Sequence, residues 1–152
     1  MEETMYNAKQ ELKRVDHLIY VSLKYTRTAD VLKNVIERLV SSFDNMVLAV
    51  LLAAKEKEML EEVSKAPLRR YEQIKEIFPE DKTLLEMADF YVYLRKLSKM
   101  EYGSENEYRR HVAMLFEIEG EKVKFDIDTA TDYYKRAKDF AGYIDTNFFK
   151  ND

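Results

Sequence analysis

The sequence has no cysteine and no tryptophan, and only three glycines and two prolines in 152 residues. Without cysteine there is no disulfide, no thiolate nucleophile, no iron–sulfur cluster and no cysteine-based zinc site, which fits a reducing compartment. Scarce glycine and proline leave few breakpoints and favour long regular elements over a many-stranded sandwich. So few glycines also leave no glycine-rich phosphate loop, and GxxxxGKS/T, GxGxxG and GxSxG are all absent. Long apolar runs are missing too. The longest, Met46 to Ala54, is nine residues, about half of the ~20 that span a bilayer, so no membrane segment is expected. The opening MEETMYNAKQELKRV alternates charged and apolar residues with no uninterrupted apolar core, unlike a signal peptide. The expected location is cytoplasmic.

What is present is 46% hydrophobic and 36% charged, with a net charge of −4 and a pI near 5.4. A chain of this length hides roughly 68–70% of its unfolded surface, so one domain over 1–152 needs no disulfide or metal staple. The negative balance speaks against a globally cationic nucleic-acid or membrane-surface protein but leaves room for a local basic patch. Abundant Glu and Lys with only two Gln is a composition seen in heat-adapted proteins.

Apolar periodicity predicts helices over most of the chain. Met5, Ala8, Leu12, Val15 and Ile19 form one stripe of a helix over 5–25. Thr26, Thr28 and Asp30 then offer oxygens to the orphan N–H groups of a second helix. Along it, Leu32, Ile36, Leu39, Phe43, Met46, Val50 and Ala53 recur at steps of four and three, broadened by Val35, Val40, Val47, Leu48, Leu51 and Leu52. This helix is expected to be central, to end near Glu62 after the charged run KEKEMLEE, and to bend near Ser41 and Ser42. Ser64 and Pro67 suit the start of a short third helix carrying Leu68, Tyr71, Ile74 and Phe78. Asp81 suits the cap of a fourth, with Leu84, Ala88, Tyr91 and Arg95, ending near Met100. Gly103, Ser104 and Asn106 read as a linker. The period then changes to two: Val112, Met114, Phe116 and Ile118, and after Glu119–Gly120–Glu121 also Val123, Phe125 and Ile127, predict a β-hairpin lying on the helices. Asp128 reads as the cap of a last helix with Ala130, Tyr134, Ala137, Ala141, Ile144 and Phe148 on one side.

Acid–base and metal chemistry find little support. His17 stands beside Val15, Leu18 and Ile19, the setting of an ordinary rim or core histidine. There is no HExxH, and Asp126, Asp128 and Asp132 lack the turn glycine and terminal acid of an EF-hand. No cofactor, no metal and no catalytic constellation is expected. The basic residues are more informative because they are segregated. Residues 9–38 hold seven Lys or Arg against four acids, 65–75 hold four against one, and 117–132 hold six acids against two Lys. Lys24, Arg27, Arg69, Arg70, Arg109, Arg110 and His111 fall at expected helix ends or loops, where function concentrates. Arginine forks suit phosphate, and the neighbouring Tyr25, Tyr71 and Tyr108 suit base stacking. The plainer reading is that such cations answer helix dipoles or pair with acids. Eleven Tyr and eight Phe are a heavy aromatic load, and Tyr133, Phe148 and Phe149 suggest apolar surface that a dimer would cover.

The order of elements, with Arg109, Arg110 and His111 ahead of the last helix, resembles the HEPN group of helical domains (higher eukaryote and prokaryote nucleotide-binding). The resemblance implies an antiparallel four- or five-helix bundle, often dimeric. Many members are ribonucleases with an Arg, commonly followed by a polar residue, and a His after four to six intervening positions. Arg110 followed by His111 matches the start of that motif, but Leu115, Phe116 and Glu117 occupy the positions of its His. Gln10, Glu11 and Leu12 before His17, and Ser104, Glu105 and Asn106 before His111, supply no Arg at that spacing either. The resemblance therefore implies a non-catalytic member. The phrase LIYVSLKYTRTADV is also similar to openings of archaeal helical proteins.

The expectations are a mainly α fold, an antiparallel bundle of about five helices with one β-hairpin before the C-terminal helix. The expected role is a non-enzymatic interaction module that self-associates or docks a protein partner. The alternative is RNA or nucleotide binding through the seven basic positions named above.

Overall fold

In the computed structural model, which describes residues 2–149, five helices exceed two turns. They are α1 (Glu2–His17), α2 (Ala29–Glu56), α3 (Pro67–Ile77), α4 (Lys82–Lys99) and α5 (Ile127–Ile144). Between α4 and α5, strands β1 (Gly103–Glu105), β2 (Ala113–Ile118) and β3 (Glu121–Asp126) form an antiparallel sheet in the order β1-β2-β3.

The broad apolar pattern of α2 places it at the centre. Leu32, Val35, Ile36, Leu39, Phe43, Met46, Val47, Val50 and Leu51 are all fully buried. A helix apolar on most sides must be wrapped, and α1, α3, α4, α5 and β2 all pack against it. Thr28 caps it, its hydroxyl accepting from the Val31 N–H at 3.3 Å. Against α1, the Ser42 hydroxyl donates to the Ala8 carbonyl at 2.9 Å and Arg38 pairs with buried Glu11 at 3.2 Å, so α2 descends as α1 rises. Against α4, Phe43 meets Phe90 edge-on at 5.5 Å, and Asp44 accepts from the Tyr91 hydroxyl and from Arg95. Burial, with the Asp44 carboxylate beside it, lifts the Tyr91 hydroxyl well above the usual phenol range. Against α5, the Tyr134 hydroxyl donates to Asp16 at 2.9 Å, and burial together with that carboxylate pushes it up to about 12.

The structure departs from expectation at element ends. The first helix reaches Tyr25 only through a π-helical turn, Leu18–Ser22, which a 3.6-residue pattern does not reveal. α2 runs unbroken through Ser41 and Ser42 and ends at Glu56 rather than near Glu62. Beyond Ala54 the charged run has no apolar face to bury, so packing no longer holds the helix, and Glu58 turns the chain with φ +62°. Ala66, not Ser64, precedes α3, while the Ser64 hydroxyl accepts from the Ala66 N–H at 3.0 Å. Asp81 caps α4, as its position suggested, accepting from Leu84 at 3.0 Å.

The stretch read as a linker contributes β1, pairing Gly103 with Leu115 and Glu105 with Ala113. A polar Gly-Ser-Glu run carries no strand signature, and its pairing comes from the partner it meets. The expected hairpin is thus part of a three-stranded sheet. Its Glu119–Gly120 turn has both φ positive, 52° and 82°, the primed geometry that matches strand twist, and Met114, Phe116 and Phe125 are buried. The cap of α5 is Asp126 rather than Asp128. Its Oδ1 accepts from the Thr129 N–H at 2.8 Å and the Thr129 hydroxyl at 2.9 Å. Strand passes directly into helix there, so the last β3 residue serves as cap. Tyr133, Phe148 and Phe149 are partly covered within the chain: Tyr133 packs on Phe90 at 4.9 Å and Phe148 on Phe78 at 5.7 Å.

Asp126→Ala should lower stability by about 1 kcal/mol, the usual worth of an N-cap, while Asp128→Ala, which loses only a dipole interaction, should cost less than half as much. Urea-unfolding midpoints of the two variants check this, and equal losses would contradict the cap assignment.

Candidate functional site

Four of the seven basic positions meet. Lys24, Arg27, Arg110 and His111 line one cleft of about 380 Å³, together with Ile19, Tyr20, Leu23, Asp126, Ile127 and Asp128. Arg109, next to Arg110, is exposed and does not line it. Arg69 and Arg70 stand apart on α3 and follow the plainer reading. Arg69 pairs with Glu72 at 3.1 Å and Glu76 at 2.8 Å, which raises its guanidinium further and holds the Glu76 carboxylate below the usual range. Arg70 donates through Nε to the Ser64 carbonyl at 2.6 Å. Of the two histidines, His17 lies in a separate groove of about 520 Å³ with Arg14 and Arg38, both of which pair with Glu11.

The cleft exists because two loops dock. After the π turn the chain rounds a corner at Thr26, whose N–H donates to the Ser22 carbonyl at 2.8 Å, and Thr28 restarts helix. The β1–β2 loop settles on that corner. The Tyr108 N–H donates to the Arg27 carbonyl at 2.6 Å, and the Glu107 carboxylate accepts from the Ala29 N–H at 3.2 and 3.3 Å. Glu107 thereby satisfies an orphan donor at the positive end of α2. The Tyr102 hydroxyl adds a bond to Asp30 at 3.3 Å. Asn106 and Tyr108 both adopt positive φ, 56° and 65°. That left-handed backbone costs a non-glycine residue roughly 1 kcal/mol, and the bond to Arg27 offsets it. Buried Val112 anchors the loop's far end, and Arg110 and His111 line the same cleft as Lys24 and Arg27.

Among the described residues, Lys24, Arg27, Arg109 and Arg110 take part in no ion pair. Arg27 Nε is buried with no acceptor, and is the one such side-chain atom among the described residues. Leaving a buried donor unsatisfied costs about 1–3 kcal/mol, and more for a charged group. Tyr20, which lines the cleft, is 50% exposed, and Tyr25 and Tyr108, next in sequence to Lys24 and Arg109, are 80% and 78% exposed. Lys24, Arg27 and Arg110 share the cleft with the carboxylates of Asp126 and Asp128.

Family models, curated proteins and solved structures give no match. The chemistry of the cleft therefore has to be read from its own residues. Among those described, no group of three or more His, Asp or Glu is placed to hold a metal ion, and no helix is long and apolar enough to cross a membrane. The sequence did not mark out Glu107 as the clamp or Asp126 and Asp128 as cleft residues, because those roles arise only when the sheet returns to the end of α1. Tyr20, one helical turn before Lys24, was within reach of a spacing argument.

Glu107→Ala should release the loop, raising the exchange rates of the Ala29 and Tyr108 amides at least tenfold while those in the middle of α2 stay unchanged. Hydrogen exchange followed by NMR or mass spectrometry reads this directly.

Proposed function

We propose that the chain is a non-enzymatic binding module, an antiparallel helical bundle whose corner cleft takes the phosphate of an RNA or nucleotide ligand. The observation that carries this reading is the convergence of Lys24, Arg27, Arg110 and His111 on one cleft, with Arg27 Nε buried and lacking an acceptor. Phosphate oxygens are strong acceptors for a guanidinium fork, and exposed Tyr20, Tyr25 and Tyr108 offer rings for base stacking. The HEPN resemblance points the same way, toward a member without the ribonuclease motif. Self-association, the other expectation, rested on Tyr133, Phe148 and Phe149, which are partly buried within the chain.

A short 5′-phosphorylated single-stranded RNA, labelled at its 3′ end, should bind at low salt with an affinity that falls linearly with log salt. Arg27→Ala and Arg110→Ala should each weaken binding by ~10- to 100-fold, the worth of one charge-assisted hydrogen bond. Arg69→Ala and Arg70→Ala should stay within twofold. Fluorescence anisotropy checks all four, and absence of binding by the unaltered chain at low salt contradicts the proposal.

A further inference from the structure

Resting on that reading, we infer that the cleft recognises a terminal phosphomonoester on a ribose, and so receives the phosphorylated end of a ligand rather than the middle of a strand. The first ground is charge. A phosphomonoester carries close to two negative charges near neutrality and three terminal oxygens, where an internal phosphodiester carries one charge and two such oxygens. Lys24, Arg27 and Arg110 supply this cleft with three cations that, among the described residues, take part in no ion pair. A chain end answers them without drawing a second phosphate in behind it.

The second ground is that two carboxylates line the same cleft. Asp126 Oδ1 is occupied by both Thr129 donors, but Oδ2 accepts from none of the described residues, and neither does the exposed Asp128 carboxylate. A polyanion running through the cleft would bring its next phosphate against these two acids. A ribose would instead turn hydroxyls toward them, and a hydroxyl donating to a carboxylate is a charge-assisted bond. Cations for an anion, carboxylates for hydroxyl donors and the half-exposed Tyr20 for a base thus line one cleft. Its volume of about 380 Å³ lies within the range usual for small-ligand sites. A free nucleotide and a strand end share this chemistry.

Isothermal titration of the full chain at low salt tests it, with 5′-AMP, adenosine, inorganic phosphate, and a tetranucleotide RNA bearing either a 5′-phosphate or a 5′-hydroxyl. AMP or the phosphorylated RNA should bind at least tenfold more tightly than its unphosphorylated counterpart, and whichever of the two is tighter identifies the source. Asp128→Asn should weaken AMP severalfold while leaving inorganic phosphate unchanged or tighter, since the amide removes repulsion but also the stronger acceptor. Equal binding of 5′-phosphorylated and 5′-hydroxyl RNA would overturn the terminus and leave the basic cleft standing. Asp128→Asn tightening AMP and phosphate alike would overturn the placement of the ribose. Failure of every ligand to bind would overturn the phosphate reading with it.

Discussion

The need to cover α2 organises the molecule. Twenty-eight residues of helix, buried along most of their length, have no stable existence in water until other elements hide them. α1 and α4 cover two sides, α5 a third, and β2 closes over part of what remains. The polar contacts crossing these seams set register: Ser42 on the Ala8 carbonyl, Glu11 between Arg14 and Arg38, Asp44 between Tyr91 and Arg95. Each places a buried or half-buried polar group opposite a partner on the neighbouring helix, so that sliding one helix along another would break that bond.

The corner cleft follows from this constraint. The positive end of α2 lies where α1 stops, and burying β2 against α2 brings the β1–β2 loop to the same place. Glu107 completes the helix end, Tyr108 takes the Arg27 carbonyl, and the cations on either side of those bonds are left in one cleft. Elsewhere on the surface arginines are absorbed: Arg69 by glutamates, Arg70 by a carbonyl, Arg95 by Asp44, and Arg136 by the Phe90 ring at 4.0 Å. Among the described residues, no carboxylate forms an ion pair with Lys24, Arg27 or Arg110. An oxyanion in the cleft would supply them a counter-charge.

Much of this architecture was legible in the sequence because burial imposes periodicity. The α2 stripe and the period-two run from Met114 to Phe125 identified both the central helix and the sheet face directed at it. Asp81 was legible as a cap, and Thr28 as one of three candidates with Thr26 and Asp30. Asp128 was expected to cap the last helix, and Asp126 took the role because the strand ends there. β1 was illegible because a Gly-Ser-Glu edge is defined by its partner. For the site, the sequence named seven basic positions, and the fold brings Lys24, Arg27, Arg110 and His111 to one cleft. Arg69 and Arg70 resembled Arg27 in sequence and differ in having acceptors nearby, a property of three-dimensional neighbours.

The central claim is that Arg27, held at the corner by the Tyr108 bond, waits for an oxyanion. The side-chain Nε–H resonance of Arg27 observes that group itself. In a ¹⁵N-labelled sample titrated with inorganic phosphate, this signal should shift and slow its exchange with water, and the amides of Tyr108 to His111 should move along the same binding curve. A static Arg27 signal, with shifts confined to Arg69, Arg70 and their helix, would contradict the account.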